Sequence, residues 1–319
     1  MTHLRLGPGA EFDRIRGIAA RLGSVAHDLG DDCALLPDGP SFLALSTDLS
    51  IENVHFRRDW LTLEEIGWRA AAAALSDLAA VGASCIGVLA AIGAPKATPA
   101  SEIESLMTGV GQAVSEAAGL VLGGDLSSAS EWLVGITVVG RADRPVRRGG
   151  GRAGDGLWVT GALGGARAAL QAWQAGRRPT EAARSAFAHP VPRIASGRAL
   201  AAAGATAMLD LSDGLAGDVR HLAAASGCSI RIRLEDVPVA TGIFEDGLTP
   251  TSPECFAAAG GEDYELLVAL PDEFGIDAAR HTETATGVAL TRIGTLEDGE
   301  GVIMTLDGLP VPLEGYDHF

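Results

Sequence analysis

Short apolar runs alternate with amphipathic stretches in the first half of the chain, a pattern that predicts strands and helices in mixed order. The apolar runs predict strands at residues 42–46, 85–92, 120–122 and 132–140. An alanine-rich stretch predicts a helix over residues 62–81, and an amphipathic stretch predicts another over residues 101–118. The segment Thr62-Leu63-Glu64-Glu65 fits a capping box at the start of the first helix.

The second half of the chain follows a segment rich in arginine, glycine and proline, around residues 142–155, which indicates a domain boundary. Apolar runs after it predict strands at residues 157–160, 207–209, 230–234 and 265–270, and periodicity predicts a helix over residues 213–226. Strict strand–helix alternation is missing from both halves. We therefore predict an α+β fold with two domains, residues 1–143 and 144–319.

Acidic residues recur at the ends of the predicted strands, where glycine or serine often precedes them. They are Asp31 and Asp32 after Gly30, Asp48 after Ser46 and Thr47, Asp125 after Gly124, Asp210 and Asp213 around Ser212, and Glu262 after Gly261. Carboxylates brought together by separate strand ends repel each other unless a cation lies among them. Divalent ions that prefer oxygen ligands fit this need, so the pattern indicates a magnesium-dependent phosphate enzyme.

Composition and charge narrow the class of protein. With 319 residues, 47% hydrophobic and 20% charged, the chain has the composition of a soluble globular protein of two domains. Its net charge of −17 argues against nucleic acid or an anionic membrane as a partner. No signal peptide or membrane span is predicted, and the four scattered cysteines lack C-x-x-C spacing, so we expect a cytoplasmic protein without disulfides or zinc.

The way in which a nucleotide could bind is restricted by the missing lysines. Lys96 is the only lysine of the sequence, and no G-x-x-x-x-G-K-[S/T] segment occurs. A P-loop and a protein-kinase-like site are both excluded, because each requires a lysine on the phosphates. A bound ATP would depend on metal ions and on arginines such as Arg147 and Arg148, although these could equally belong to a polar linker.

Among the acidic residues, Asp77 has the most unusual predicted surroundings. It falls in the last turns of the predicted helix, where the helix dipole disfavours a negative charge, and alanine, leucine and valine surround it in sequence. A solvated surface aspartate is the alternative, and a metal ligand is the interpretation we favour.

The remaining acidic segments have competing interpretations. Ser212 or Asp213 could be an ordinary N-cap, which would still leave Asp210 without a structural role. Asp31 could lie in a turn, and the segment before Glu262 could be a hairpin turn. Without further context, His55 is more typical of a surface histidine than of a substrate contact.

Taken in order, these segments resemble the thiamine-monophosphate kinases, in the superfamily that includes the aminoimidazole ribonucleotide synthetases. The matching segments are Gly30-Asp31-Asp32-Cys33-Ala34, Ser46-Thr47-Asp48, His55-Phe56, Leu75-Ser76-Asp77-Leu78-Ala79, Gly123-Gly124-Asp125, Gly154-Asp155, Asp210-Leu211-Ser212-Asp213-Gly214, Gly260-Gly261-Glu262-Asp263-Tyr264 and Gly315-Tyr316-Asp317-His318-Phe319. The segments span nearly the whole chain.

The resemblance implies an amino-terminal domain that dimerises through its sheet and a carboxy-terminal domain that closes over the cleft. It implies transfer of the γ-phosphoryl group of ATP to thiamine monophosphate by a homodimer that binds several magnesium ions. The metal ligands that it implies are Asp31, Ser46, Thr47, Asp48, Asp77, Asp125, Asp210 and Asp213, of which Asp125, Asp210 and Asp213 would be catalytic. The implied ATP contacts are Gly124, Asp125, Arg148 and Ser212, and the implied thiamine contacts are His55, Glu262 and Tyr316, with Phe319 as the other terminal aromatic.

The chemistry of this reaction agrees with the residues present. A phosphate acceptor has a second pKa of about 6, so its attacking oxygen is already deprotonated at neutral pH and needs no general base. The requirements are charge neutralisation and in-line alignment. The alternatives are another ATP-dependent synthetase of the superfamily, similar to the aminoimidazole ribonucleotide synthetases, and a non-catalytic metal- or nucleotide-binding protein.

Overall fold

A computed structural model describes residues 5–27, 29–245 and 248–316 of the chain. Helix α1 (Ala10–Leu22) precedes a five-stranded sheet. The strands of this first sheet are β1 (Ala34–Asp38), β2 (Ser41–Ile51), β3 (Ser84–Pro95), β4 (Leu120–Ala129) and β5 (Leu133–Ala142). They lie in the order β1-β2-β5-β3-β4, and only the β3–β4 pair is parallel.

A second sheet of seven strands forms the core of the carboxy-terminal half. Its strands are β6 (Gly156–Thr160), β7 (Ala207–Asp210), β8 (Ser229–Arg233), β9 (Leu266–Leu270), β10 (Leu290–Glu297), β11 (Gly301–Leu306) and β12 (Leu309–Pro310), in the order β12-β11-β8-β10-β6-β9-β7. The helices of this half are α4 (Gly165–Gln174), α5 (Glu181–Ala188), α6 (Ile194–Ala202), α7 (Leu215–Ser226), α8 (Pro253–Ala258) and α9 (Gly275–Thr286). This mixed arrangement agrees with the α+β prediction.

Helix α2 (Leu63–Ala80) packs against the first sheet, against α3 (Ala100–Glu116) and against the carboxy-terminal half. Buried residues surround it on nearly every side, as expected of a helix enclosed by protein. The capping box predicted at its start is present, because the Thr62 side chain accepts from Glu65 N and the Glu65 side chain accepts from Thr62 N. Its last turns share a buried cluster with Leu200 and Met208 of the other half.

Glycines allow the close approach of α2 to its neighbours. A Cβ on Gly67 would lie 1.9 Å from the carbonyl oxygen of Leu106, and one on Gly109 would lie 1.8 Å from that of Glu64. The alanine-rich sequence of α2 therefore serves packing between two helices and between two halves of the molecule.

Several elements are longer or shorter than predicted, and the differences concern acidic residues. Strand β2 continues to Ile51, so Asp48 lies within a strand and does not follow one. Strand β4 continues to Ala129, so Gly124 and Asp125 also lie within a strand. Long-range pairing with β5 and β3 extends both strands, and local periodicity could not show it.

No helix within residues 5–27, 29–245 and 248–316 is long and apolar enough to cross a membrane.

Candidate active site

Three acidic side chains from separate segments converge between the two halves of the chain. Asp32 lies in the loop before β1, Asp77 in the last turn of α2, and Asp210 at the end of β7. One carboxylate oxygen of each lies within 4.8 Å of the other two, which is the spacing of ligands around a metal ion. We call Asp32, Asp77 and Asp210 the acidic triad.

Neighbouring groups fix Asp77 at the first sheet. Ser46 Oγ, on β2, donates a hydrogen bond of 2.5 Å to Asp77 Oδ2. The Sγ of Cys33 donates to the carbonyl oxygen of Asp77 over 3.3 Å, which ties the loop of Asp32 to the same helical turn. Two segments that are far apart in sequence therefore hold one member of the triad.

Arg148 is the cation closest to the triad among the hydrogen-bonded partners that the structure describes. Its guanidinium forms a buried ion pair with Asp32, and its backbone N donates to Asp31 Oδ1 over 2.9 Å. Arg147 Nη1 lies 4.0 Å from Asp31 Oδ2. The arginines that precede the glycine-rich segment thus contact the first acidic loop, and they do not form a polar linker.

Burial and mutual repulsion raise the pKa values of the acids at this site. Loss of water contact, followed by the charge of Asp32, raises the pKa of Asp210 to about 7 and that of Asp31 to about 6. Burial and then Glu262 raise the pKa of Asp48 to about 6. Burial, with Asp48 as the next cause, also raises the pKa of Asp77 well above its ordinary value. A cation placed here would relieve the cost of ionising these groups.

The donor set fits a divalent cation that prefers oxygen ligands. Asp31 Oδ2 and Asp32 Oδ2 are buried and accept no hydrogen bond from any part of the chain that the structure describes. Buried carboxylate oxygens without donors are costly, and a hard cation satisfies them directly. Ser46 and Asp48 lie at alternate positions of β2, on the same face of the sheet as each other, and Ser46 reaches the triad through Asp77.

Asp213 and Ser212 occupy a tight turn after the triad member Asp210. The N-cap of α7 is Gly214, and the buried Asp218 accepts from the backbone N atoms of Asp213 (3.1 Å) and Gly214 (3.0 Å). The N-cap interpretation of Ser212 or Asp213 is therefore wrong, because Asp218 takes that role from inside the helix. Ser212 is exposed, and Asp213 is half-buried.

Glu262 lies in a loop that is fixed to the segment of Asp210. Glu262 N donates to Ser212 O over 2.7 Å, and Tyr264 N donates to Leu211 O over 2.9 Å. A Cβ on Gly261 would lie 2.6 Å from Ser212 O, so only glycine permits this approach. Strand-like pairing with residues 211–212 therefore replaces the hairpin turn that the sequence allowed.

Thr47 and Asp125 lie on the opposite face of the first sheet from the triad. Thr47 Oγ1 is 3.1 Å from Thr137 Oγ1 on that face. Asp125 pairs in register with Ala91, next to Leu49 and Gly135, and its Oδ2 accepts from Ser127 Oγ over 3.2 Å. Side chains alternate along a strand, so neither Thr47 nor Asp125 is brought to the triad within one chain. Gly124 lies on the same exposed edge strand.

The predicted thiamine contacts fall in different places. His55 follows β2, where its Nδ1 accepts from Ile51 N over 3.1 Å. Tyr316 is 58% exposed, and its backbone N donates to Asp213 O over 3.0 Å. Tyr316 and Asp213 line a cavity of about 240 Å³ that neither His55 nor Glu262 lines. Phe319 lies outside the described residues.

The sequence did not single out three residues that the structure brings to this region. Asp32 follows Asp31, and the resemblance implies Asp31 as the ligand. Asp218 lies in the first turn of α7, and Arg69 lies in the alanine-rich helix α2. Two adjacent acids after a glycine were a signal for Asp32; the sequence carried no comparable signal for Arg69 or Asp218.

Two sequence models of protein families match the chain in succession. The family described as "AIR synthase related protein, N-terminal domain" matches residues 30–142, and "AIR synthase related protein, C-terminal domain" matches residues 152–307. These matches confirm the prediction of two α+β domains. The predicted boundary between residues 143 and 144 stays a prediction.

Relatives with assigned activities are similar over most of the chain. A thiamine-monophosphate kinase of Mycobacterium tuberculosis (strain ATCC 25618 / H37Rv) is 36% identical over 274 residues, covering 83% of this chain and 81% of the relative. One of Halobacterium salinarum is 36% identical over 300 residues, covering 93% and 97%. A solved structure described as "AaThiL complexed with AMPPCP and TMP" superposes with a TM-score of 0.84 at 31% identity, covering 98% of this chain and 97% of that one.

Proposed function

The chain belongs to the thiamine-monophosphate kinase family of AIR synthase related proteins, and on this premise we propose that it transfers the γ-phosphoryl group of ATP to thiamine monophosphate in one magnesium-assisted, in-line step. The enzyme is a phosphotransferase whose acceptor is itself a phosphate, and its product is thiamine diphosphate. The observation that carries the proposal is the acidic triad, which both halves of the chain build together.

The reaction brings two polyanions together on a protein with a net charge of −17. Divalent magnesium, when bound, would neutralise the phosphates and align them. Asp32, Asp77 and Asp210 are the residues that would hold it, with Ser46 orienting Asp77. By resemblance we also propose Asp31, Thr47, Asp48, Asp125 and Asp213 as ligands. Thr47 and Asp125 lie on the face of the first sheet opposite the triad, so they could be ligands only at a site that the single chain does not form by itself.

We propose that Arg148 contacts the transferred phosphate. Its Nε is buried and donates to no group within the described residues, although the same guanidinium pairs with Asp32. A phosphate oxygen is a suitable acceptor for this unused donor. Arg148 would therefore lie between the metal-binding acids and ATP, with Ser212 and Gly124 as the other ATP contacts that the resemblance implies.

No side chain is required to remove a proton in this reaction. The acceptor phosphate has a second pKa of about 6 and is largely dianionic at neutral pH. The residues of the site therefore bind, orient and neutralise the reacting groups, and transfer is direct without a phosphorylated protein intermediate. Trapping of a phosphorylated protein during turnover would contradict this mechanism.

We propose that the active form is a homodimer joined through the first sheet. Strand β4 is an edge strand that is exposed along nearly its whole length, and Leu120, Leu122 and Leu126 on it are 67%, 51% and 61% exposed. Leu49 and Leu89 are exposed on the face that α2 does not cover. Apolar patches of this kind support an interface with a second copy.

Phosphorus NMR tests the proposed function directly. Purified protein is incubated with magnesium, ATP and thiamine monophosphate, and the spectrum is followed in time. We expect the thiamine monophosphate resonance to be replaced by the two resonances of a diphosphate, with equimolar ADP. ATP turnover on another acceptor, with no diphosphate of thiamine, would instead indicate a synthetase of the same superfamily.

A further inference from the structure

Arg69, on α2, reaches across the cleft and binds Glu262 in the carboxy-terminal half. Its Nη2 forms an ion pair with Glu262 Oε2, and its Nη1 donates to the carbonyl oxygen of Phe187 over 2.7 Å. The guanidinium also lies 3.8 Å from the centroid of the Phe187 ring. Contacts from three directions therefore fix a side chain that is only 5% exposed.

Tyr264 holds the same carboxylate from a second side. Its OH donates to Glu262 Oε2 over 2.6 Å. Glu262 and Tyr264 both adopt positive φ angles, 72° and 51°, which are unfavourable for residues other than glycine. Such backbone strain persists where surrounding contacts enforce it, and it is concentrated at functional sites.

The arrangement leaves one oxygen of Glu262 for another group. Arg69 and Tyr264 share Oε2, so Oε1 is the atom available to the cleft, and the side chain is 29% exposed. A carboxylate oxygen held in this way, with no donor from Arg69 or Tyr264, is a suitable partner for a cationic group of a ligand.

We propose that Arg69 and Tyr264 are positioning residues that orient Glu262 so that its Oε1 meets the organic cation of the substrate, the thiazolium-bearing part of thiamine monophosphate. The inference rests on the proposed function, in which Glu262 is a thiamine contact that the resemblance implies, and it adds the residues that orient Glu262. The phosphate end of the acceptor lies toward the acidic triad, and the cationic ring lies toward Glu262. Arg69 acts through Glu262 and does not touch the reacting atoms.

Substitutions at Arg69 and Tyr264 separate this role from general stability. Tyr264→Phe removes one hydrogen bond, so KM for thiamine monophosphate rises by about threefold to tenfold. Arg69→Gln removes the ion pair and raises this KM by about tenfold or more, and Arg69→Lys, which keeps a charge, gives a smaller increase. KM for ATP and kcat stay within about twofold of the wild-type values, because the triad is unchanged.

Arg184→Gln is the matched control. Arg184 donates to Glu65 over 2.7 and 2.9 Å, so it also joins α2 to the carboxy-terminal half, but it does not contact Glu262. We expect this variant to lower the melting temperature without raising KM for thiamine monophosphate. An equal rise of KM in Arg184→Gln would overturn the inference, because loss of domain contacts would then explain the effect of Arg69→Gln.

Recognition of the cation is tested by calorimetry with a neutral isostere, in which carbon replaces the thiazolium nitrogen. Wild-type protein binds thiamine monophosphate more tightly than the isostere, and Glu262→Gln reduces this preference by about tenfold. Adding Arg69→Gln to Glu262→Gln changes the preference no further, because Arg69 acts through Glu262. Equal binding of both ligands by the wild-type protein would overturn the inference.

The two proposals fail in different ways. If the wild-type protein transfers no phosphoryl group, the proposed function is lost, and the binding preference still decides the role of Glu262 and Arg69. If turnover is normal and both Tyr264→Phe and Arg69→Gln leave KM unchanged, only the present inference is lost.

Discussion

Ser46 and Asp77, 31 positions apart in sequence, are joined by a hydrogen bond of 2.5 Å between Ser46 Oγ and Asp77 Oδ2. The bond connects a strand of the first sheet to the helix that both halves of the molecule enclose. It orients the carboxylate of Asp77, a member of the acidic triad. The geometry of the site therefore depends on the position in which α2 packs against the sheet.

Neutralising a member of the triad should affect activity and stability in opposite directions. We expect Asp77→Asn and Asp210→Asn to lower kcat by at least about 100-fold, because the proposed magnesium site loses a carboxylate ligand. In metal-free buffer above about pH 8, where Asp210 is ionised, Asp210→Asn should melt at a higher temperature than the wild type, because one of the mutually repelling buried charges is gone. Steady-state kinetics and thermal unfolding in EDTA check both expectations.

Asp59→Asn is the control for this experiment. Asp59 is an exposed acid paired with Arg57 on the surface, so its loss should change neither kcat nor melting temperature appreciably. Wild-type activity in Asp77→Asn would mean that the triad does not bind the metal of the reaction.

The stability of the metal-free protein should fall as pH rises from about 5 to about 8. In the folded chain the pKa of Asp31 is about 6, that of Asp210 about 7 and that of Asp263 about 8, all raised from the ordinary 3.8. The folded state thus binds these protons more tightly than the unfolded state. Their stabilising contribution is complete below the unfolded pKa and is lost as pH passes the folded values.

Magnesium should oppose this loss. Its ligands must be deprotonated, so the stabilisation by a fixed magnesium concentration should grow from about pH 5 to about pH 8. Denaturant unfolding with EDTA or with magnesium, at several pH values, measures both trends. Magnesium stabilisation that is constant across this range would contradict the assignment of titrating carboxylates as ligands.

Charge placed on β4 should disrupt the proposed dimer. Leu126→Glu puts a carboxylate on an apolar edge strand, and we expect the chain to become monomeric in sedimentation experiments. Leu309→Glu is the control, because Leu309 is 70% exposed on the edge strand β12 of the other sheet. A dimer that persists in Leu126→Glu and dissociates in Leu309→Glu would place the interface on the second sheet.

Two glycines on α3 should respond oppositely to alanine. A Cβ on Gly109 would lie 1.8 Å from Glu64 O, so Gly109→Ala should lower the free energy of unfolding by about 1–3 kcal/mol by pushing α3 away from α2. A Cβ on Gly111 meets nothing within 4 Å, so Gly111→Ala should raise it by about 0.5–1 kcal/mol through helix propensity. Denaturant titrations compare the two; a stabilised Gly109→Ala would contradict the close packing.

The sequence predicts the mixed fold, and it marks Asp77 and Asp210, which the structure brings together with Asp32. Asp77 was out of place in an apolar helix near its carboxyl end, and Asp210 followed a buried strand, so a local conflict marked both. The choice of Asp31 over Asp32 was not decidable in this way. Which of two adjacent carboxylates faces the triad depends on the loop backbone and on Arg148, 116 positions away from Asp32.

The sequence also does not predict where the strands end or on which face of the sheet a given side chain lies. Gly124 and Asp125 resembled a loop after a strand, but pairing with β3 extends β4 through both of them. The face of the sheet on which a side chain lies then follows from register, which sequence alone does not fix. The same argument applies to Thr47, whose neighbours Ser46 and Asp48 point the opposite way.

Because α2 packs against both halves of the chain, it restricts how the halves of related proteins can be recombined. Ala79 and Ala80, near the carboxyl end of α2, pack into a cluster with Leu200 and Met208, and Arg69 on the same helix pairs with Glu262. A chimera that joins the first half of one relative to the second half of another would therefore pack α2 against a surface to which its side chains are not complementary. Successful recombination should require that α2 be inherited together with the half that follows it.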